Sequence, residues 1–176
     1  MNTKLDKTDR EILDILTQDG REAFTKISEK LSFSDTGVKK RLSKLNKDGI
    51  LKVQGNLSLD ALHFKACLIL LEIRTNEDLN NIIKAYESCP YLFLTLELLG
   101  SFNLLIGFYG HNIEDLDKKI KYCGPRRMQG VLHSKLILIS SFKIPQFLPL
   151  KIISENNFQK ESLHICEKCQ RYKLER

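Results

Sequence analysis

The spacing of apolar residues changes partway along the chain, and this change limits the folds that the chain can adopt. Up to about residue 48, apolar residues recur every three or four positions, which is the spacing of amphipathic helices. From residue 66 onward, short continuous apolar runs alternate with helical segments, which is typical of strands in a covered sheet. We therefore predict an α+β protein in which a helical domain precedes a domain of strands and helices.

The helical part is predicted to contain three helices. The first begins after Asp6, which can cap it, and the second covers residues 24–31. Only Ser32 and Phe33 separate the second helix from a third over residues 34–47. A connection this short before the third helix is typical of a helix-turn-helix.

The segment after the third helix predicts a small β-hairpin, because alternating residues over 49–59 flank a Gly-Asn turn. A hairpin in this position would be the wing of a winged helix-turn-helix domain. We assign this domain to residues 1–60 and a linker to residues 61–65.

Residues 66–143 show the order strand, helix, strand, strand, helix, strand, which predicts a ferredoxin-like βαββαβ domain. In this fold the helices cover one face of the sheet, and the other face here still carries Leu, Ile and Phe. A sheet with an uncovered apolar face predicts burial against a second copy, so we expect a homodimer. The strands are predicted at 66–73, 91–99, 104–109 and 132–142, and the helices at 77–88 and 113–121.

The third helix carries a dense row of cations, opposed only by Asp35. Like charges on adjacent turns repel each other unless an anion lies alongside. The net charge of +6 permits nucleic acid as that anion. We predict that this helix binds duplex DNA, with lysines on phosphates and short polar residues at base edges. A solvated lysine-rich face is the alternative interpretation. The predicted DNA-binding residues are Ser34, Thr36, Lys39, Lys40, Arg41, Ser43 and Lys44 on the helix, and Lys52 and Gln54 on the wing.

Residues 144–176 form a C-terminal extension that contains the run His164-x-Cys166-x-x-Cys169. Two thiolates at this spacing, with an imidazole close by, suit zinc, and no other cofactor is expected. A closed tetrahedral site needs a fourth ligand, which Cys123, His133, His111 or a second subunit can supply. The alternatives are a redox dithiol and a tail that binds no metal. A metal- or redox-sensing regulator is therefore one alternative function.

The sequence predicts a cytoplasmic protein with no membrane partner. No apolar run reaches the roughly 20 residues that a membrane-spanning helix needs, and the first residues lack the apolar stretch of a signal peptide. The five cysteines are an odd number in a chain with 42% apolar residues, so reduced thiols are expected.

A set of residues spread over both predicted domains forms a family signature when taken together. It consists of Leu5-Asp6, Asp9, Ile12-Leu13, Gly20-Arg21, Phe33-Ser34, Val38, Arg41, Leu45, Gly49-Ile50, Gly100-Ser101-Phe102-Asn103 and Gly130-Val131. With these residues, the chain resembles the Lrp/AsnC family of bacterial and archaeal transcription regulators over about residues 3–143. The resemblance implies a winged helix-turn-helix that reads DNA. It also implies a ferredoxin-like domain that dimerises, stacks dimers into rings and often binds an amino acid between dimers.

The resemblance further implies a small-molecule effector site in the second domain. The family's glycine turn usually continues with Tyr-Asp, whereas this chain has Phe-Asn, so a carboxylate that would meet a ligand's ammonium group is absent. The alternative interpretation is a tight turn at Gly100 and a dimer contact at Phe102. The implied effector residues are Gly100, Ser101, Phe102, Asn103, Gly130 and Ser134.

Siroheme decarboxylases resemble these regulators in their two-domain plan, so an enzyme on this scaffold is the alternative from another functional class. Those enzymes carry an arginine and histidines in a His-Asn-Tyr-like run, which this sequence lacks. Its four histidines lie far apart, and it has no glycine-rich phosphate loop. We therefore predict a DNA-binding regulator and no enzymatic activity.

Overall fold

The structure is a computed structural model that describes residues 5–150. The chain divides into two compact units between Gly55 and Asn56, which is earlier than the boundary predicted after residue 60. The reason is that Leu59 is fully buried in the core of the second unit. Within the described range, no helix is both long enough and apolar enough to cross a membrane.

The first unit contains the three predicted helices, which we number α1 to α3. The Asp6 carboxylate caps α1 by accepting from the Asp9 backbone N–H at 2.8 Å, and the Asp9 side chain accepts in return from the Asp6 N–H. Ile12, Ile27 and Val38, one from each helix, are fully buried and form the core. The helices are α1 (Lys7–Gln18), α2 (Phe24–Leu31) and α3 (Asp35–Lys47).

The turn between α2 and α3 is as short as predicted. Ser32 ends α2 in the left-handed conformation (φ 55°), and the Phe33 N–H donates to the Ser28 carbonyl at 2.9 Å. The buried Ser28 hydroxyl donates to the Asp35 carboxylate at the start of α3. These contacts hold the two helices of the helix-turn-helix together.

The predicted wing hairpin is wrong, because residues 50–56 contain no strand pairing in the structure. Leu51 packs against the core of the first unit. Leu57, by contrast, exchanges two backbone hydrogen bonds of 2.8 Å with Leu148 of the second unit. Leu51 and Leu57 therefore make their contacts in different units and do not pair with each other.

The second unit is a four-stranded antiparallel sheet with two helices, as the βαββαβ prediction requires. The strand order is β2-β3-β1-β4, with β1 at the centre beside both β3 and β4. Residues 144–150 belong to the same unit, since Leu148 and Leu150 pack against its core. The elements are β1 (Lys65–Ile73), α4 (Asn76–Tyr86), β2 (Leu92–Glu97), β3 (Leu104–Gly110), α5 (Ile113–Cys123), a 3-10 turn (Pro125–Arg127) and β4 (Val131–Ile139).

The two faces of the sheet differ in how well they are covered. On the helix side, Ile69, Leu71 and Ile106 are fully buried, with α4 and α5 packed against them. On the other side, which we call the open face, Leu96 is 45% and Ile137 39% exposed. The register of the strands places a single apolar set on the open face, namely Leu68, Leu70, Leu94, Leu96, Leu105, Ile137 and Ile139.

Candidate nucleic-acid interface

The helix α3 is fixed in place by a capped start and a buried apolar stripe. The Ser34 hydroxyl accepts a hydrogen bond from the Gly37 N–H at 3.1 Å, which satisfies one of the free amides of the first turn. Val38 and Leu45 are buried, and Leu42 is half-buried against the core. The remaining sides of α3 are therefore left for solvent or a partner.

The outward side of α3 presents lysines that no carboxylate of the described residues neutralises. Lys39, Lys40, Lys44 and Lys47 are exposed, and within residues 5–150 none of them forms an ion pair. The single acid of the helix, Asp35, accepts from the Ser28 hydroxyl of α2. The uncompensated charge of this row therefore has to be balanced by solvent ions or by an anionic partner. Of the other predicted DNA-binding residues, those exposed are Ser34, Thr36, Ser43, Lys52 and Gln54.

Arg41 differs from these lysines, because its guanidinium is paired with carboxylates of its own domain. Its Nη1 lies 2.6 Å from Asp6 Oδ2 and 2.7 Å from Asp9 Oδ1, and the guanidinium carbon lies 5.5 Å from the centre of the Phe33 ring. The hydrogen bond to Asp6 is the main cause of the raised pKa of Arg41. Arg41 thus ties α3 to the capped start of α1, and its predicted DNA contact stays a prediction.

Replacing Arg41 with Gln is expected to lower the thermal midpoint of the first unit by a few degrees, because two carboxylates lose their shared cation. The slope of log affinity for DNA against log salt should stay unchanged if the guanidinium remains paired with Asp6 and Asp9 in the complex, since no phosphate contact is then removed. Thermal unfolding followed by circular dichroism and DNA titrations at several salt concentrations measure both quantities. The matched control is Lys40→Gln. It should not change the thermal midpoint, and it should reduce the magnitude of the salt slope by about 0.9. A reduced slope in Arg41→Gln would show instead that Arg41 binds phosphate, as the sequence predicts.

Two exposed residues near α3 were predicted for the wing but lie on a segment that forms neither a helix nor a strand. Lys52 and Gln54 are exposed on the chain that follows α3, with Val53 between them 59% exposed. On α3 itself, Lys39 Nζ lies 5.9 Å from the centre of the Phe24 ring of α2. This distance suits a cation–π contact, which orients the Lys39 ammonium without neutralising it.

In the second unit, the turn implied as part of an effector site is held by Asn103. The Asn103 Oδ1 accepts from the Ile73 N–H at 2.9 Å, and Nδ2 donates to the Ile73 carbonyl at 2.8 Å. The side chain therefore continues the ladder between β1 and β3 beyond their last backbone pair. A carboxylate cannot do this, because it has no hydrogen to donate to the carbonyl.

The Asn103→Asp variant is expected to destabilise the second unit by about 1–2 kcal/mol, because the Ile73 carbonyl loses its donor and faces a negative charge. Chemical denaturation at neutral pH measures this change. The control is Asn81→Asp, the same substitution at an exposed position of α4, which should change the free energy of unfolding little. Equal stabilities of the two variants would exclude the role that we assign to Asn103.

The other implied effector residues lie around the same end of β1. Gly130 (φ +84°) accepts from the Arg74 N–H at 2.9 Å, and a Cβ at this position would lie only 2.3 Å from Asp78 Cγ. Ser134 of β4 is directly opposite Leu71 in the register and is exposed. Gly100 (φ +143°) and Ser101 are exposed, and Phe102 is half-buried. The structure therefore brings these positions to one end of the sheet.

The predicted zinc ligands cannot be placed, because His164, Cys166 and Cys169 lie outside the described residues. Cys123, one candidate for the fourth ligand, is half-buried at the end of α5, where its carbonyl accepts from the Tyr86 hydroxyl. Within residues 5–150, no group of three or more His, Cys, Asp and Glu side chains could hold a metal. Cys67 is buried in β1, and burial raises the pKa of its thiol to about 11, so this thiol is protonated near neutral pH.

Sequence reasoning missed the partners that orient the cations of the first unit. Asp6 was recognised as a capping residue, but the pairing of Asp6 and Asp9 with Arg41 depends on contacts across 35 and 32 positions of the chain. The contacts of Phe24 with Lys39 and of Phe33 with Arg41 could not be predicted. The spacing of residues along the sequence does not indicate which ring lies beside which cation.

Comparison with known proteins relates this geometry to a family. The profile of the AsnC-type helix-turn-helix domain matches residues 5–46. Over 121 residues the chain is 31% identical to the uncharacterized HTH-type transcriptional regulator PH1055 of Pyrococcus horikoshii, which covers 67% of this chain and 76% of that relative.

Solved structures share the fold of both units. The crystal structure of PH0061 of P. horikoshii matches with a TM-score of 0.73 at 22% identity, over 85% of this chain and 99% of that chain. The transcriptional regulator NMB0573 of Neisseria meningitidis, solved as a complex with L-Met, matches with a TM-score of 0.65 at 20% identity, over 88% and 99%. Because the sequence identities are only 22% and 20%, these structural similarities support the fold alone.

Proposed function

Because the chain belongs to the AsnC/Lrp family of helix-turn-helix transcription regulators, we propose that it binds duplex DNA through the outward side of α3. The observation that carries this proposal is the row Lys39, Lys40, Lys44 and Lys47, exposed and without an ion pair in the described chain. A phosphate backbone supplies the anions that such a row lacks.

The side chains around α3 fall into two proposed roles. Lysines of α3 and Lys52 contact phosphates, which contributes affinity and salt dependence. Ser34 and Thr36 at the helix start, together with Ser43 and Gln54, contact base edges, which contributes specificity. Arg41 holds α3 on α1, and the salt slope of Arg41→Gln decides whether it also contacts phosphate. The proposed phosphate contacts are Lys39, Lys40, Lys44 and Lys52, and the proposed base contacts are Ser34, Thr36, Ser43 and Gln54.

Selection of bound fragments from random duplex DNA by the purified full chain tests the proposal. We expect enrichment of a motif with two half-sites, whose centres lie about one helical turn or a multiple of it apart. The proposal is contradicted if no fragment is retained at low salt, where phosphate contacts are strongest.

We also propose that the regulator acts as a homodimer or as a ring of dimers. The support is the open face, where seven Leu and Ile side chains share one side of the sheet in the observed register. If two copies pack their open faces against each other, the apolar side chains of both faces are buried, and the contact has two-fold symmetry. A dimer also carries two α3 helices, as a pair of half-sites requires.

A small-molecule effector is proposed at the end of the sheet that holds Gly100, Ser101, Phe102, Asn103, Gly130 and Ser134. The N. meningitidis relative with this fold was solved with L-Met, which favours an amino acid as the first class to test. The exposed Ser101 and Ser134 hydroxyls are the groups that we propose contact it, whereas Asn103 holds the turn. A thermal-shift screen of the standard amino acids tests this, and stabilisation that survives Ser134→Ala would count against the site.

As a second candidate function, we propose that the C-terminal extension binds zinc through His164, Cys166 and Cys169. The spacing of the two thiols favours it, with Cys123 or a second subunit as the source of the fourth ligand. Elemental analysis of protein purified without added metal decides the question. Zinc should be present in the wild type and lost when Cys166 and Cys169 become Ser, and retention of zinc in that variant would remove the proposal.

The enzyme alternative is less favoured, because PH1055 is named as a transcriptional regulator. An experiment still separates the two classes. A regulator should bind duplex DNA, and tight binding of a haem precursor without any DNA binding would favour an enzyme on this scaffold.

A further inference from the structure

The first unit contains an open groove, and only some of the residues that line it are proposed DNA contacts. It lies between the end of α1, the start of α2, the outward side of α3 and residues 51–53 after α3, and its volume is about 870 Å³. This is within the roughly 300–1,000 Å³ of small-molecule sites in proteins. We call it the α3 groove.

The floor and one wall of the α3 groove are apolar. Leu42 and Leu51 are half-buried and line it from the core side. Phe24 is 43% and Val53 59% exposed, and both line it nearer to solvent. Val53 lies beside Gly20, since a Cβ added to Gly20 would come within 3.7 Å of Val53 Cγ1. Apolar side chains gathered in one concavity favour a ligand with an apolar body.

The charges that line the α3 groove are unbalanced in favour of cations. Arg21, Lys39 and Lys52 line it, and none of them forms an ion pair within residues 5–150. The only acid in the lining is Glu22, whose carboxylate lies 3.0 Å from Lys30 Nζ and 3.7 Å from Lys26 Nζ. Glu22 is therefore already neutralised by lysines, and the groove attracts negative charge.

From this combination we infer that the α3 groove binds an amphipathic organic anion, a carboxylate or sulfonate with an aromatic or aliphatic body. The body would cover Leu42, Leu51 and Val53, and the anionic group would meet Lys39 or Lys52. Duplex DNA matches only the charge, because its phosphate backbone offers no apolar body of this size.

The position of the α3 groove gives the ligand a regulatory effect. Lys39, Ser43 and Lys52 line the groove and are also proposed to contact DNA. The anion and the duplex therefore compete for the same cations, so that the anion releases the regulator from DNA. This regulatory part of the inference rests on the proposed function, whereas the groove as a binding site does not.

Fluorescence titration of the full chain with anilinonaphthalene sulfonate, an aromatic sulfonate, tests the inference. We expect saturable binding that weakens about tenfold or more in Val53→Glu and in Lys52→Glu, which place a carboxylate in the groove. The matched control is Ile113→Glu, a similarly exposed apolar residue (54%) at the start of α5, which should bind the probe as the wild type does. Lys52→Glu changes only an exposed side chain, so it keeps the test valid if Val53→Glu does not fold.

The outcomes separate the groove from the proposed function. Probe binding that is unchanged in both groove variants overturns the inference. Displacement of the bound probe by duplex DNA supports competition, and simultaneous binding of probe and duplex overturns it. If the chain binds the probe in the groove but no duplex at any salt concentration, the proposed function fails and the groove stands.

Discussion

The variant Lys39→Ala/Lys40→Ala is expected to bind every duplex more weakly, by about one order of magnitude at moderate salt. The slope of log affinity against log salt should fall by about 2, because two phosphate contacts are lost. The loss should be nearly the same for selected and random sequences, since phosphates carry no sequence information. Fluorescence anisotropy titrations at several salt concentrations provide all three quantities.

The physical basis of this expectation is that both lysines are exposed and free of carboxylate partners in the described chain. Removing them therefore relieves repulsion within α3, so the free protein should keep or gain stability. Weaker DNA binding by an equally stable protein cannot be attributed to misfolding.

The matched control removes two lysines elsewhere. Lys84 and Lys143 are exposed in the second unit, and Lys84→Ala/Lys143→Ala changes the net charge by the same amount. This control should retain the wild-type affinity to within about twofold and the full salt slope. Equal losses in both double variants would mean that net charge, and not the row on α3, attracts the DNA.

The second large effect is expected at the open face. Leu96→Glu/Ile137→Glu should convert the proposed homodimer into monomers at micromolar concentration, because a two-fold interface would then bury four additional carboxylates. A buried unpaired charge costs several kcal/mol, which raises the dimer dissociation constant by at least about a hundredfold. Sedimentation velocity should show a species of the single-chain mass, 20.3 kDa.

A suitable control for the open-face variant lies on the same sheet. Leu138 is 58% exposed, but its partner in the register is Cys67, whose side chain faces the helices. Leu138→Glu should therefore remain dimeric. The interface would have to be placed elsewhere if the double variant stayed dimeric, or if Leu138→Glu alone dissociated the dimer.

The order of elements was predictable because it depends on local spacing. The tight turn at Ser32 and Phe33 and the six elements of the second unit follow from runs of apolar residues and from caps that act within a few positions. The lack of a wing hairpin over residues 50–56 was not predictable in the same way. Leu51 and Leu57 alternate as hairpin residues would, but the first packs into one unit and the second pairs with Leu148, which no local pattern reveals.

In the candidate site, too, contacts between residues distant in the sequence could not be predicted from local patterns. The exposed lysines of α3 could be read from helical spacing, since a helix with one buried stripe must expose the rest. Arg41 stands at the border of that stripe, and its role depends on two carboxylates of α1 that only the folded chain brings near. Asn103 is similar, because its partner Ile73 lies on another strand.

Site-specific photocrosslinking tests most directly whether α3 lies against DNA in the complex. With p-benzoylphenylalanine introduced at Thr36 of the full chain, irradiation of the bound duplex should give a covalent protein–DNA adduct. The same group at Lys84 in the second unit should give none. An adduct from Lys84 with no adduct from Thr36, while the duplex is demonstrably bound, would show that α3 does not bind the DNA.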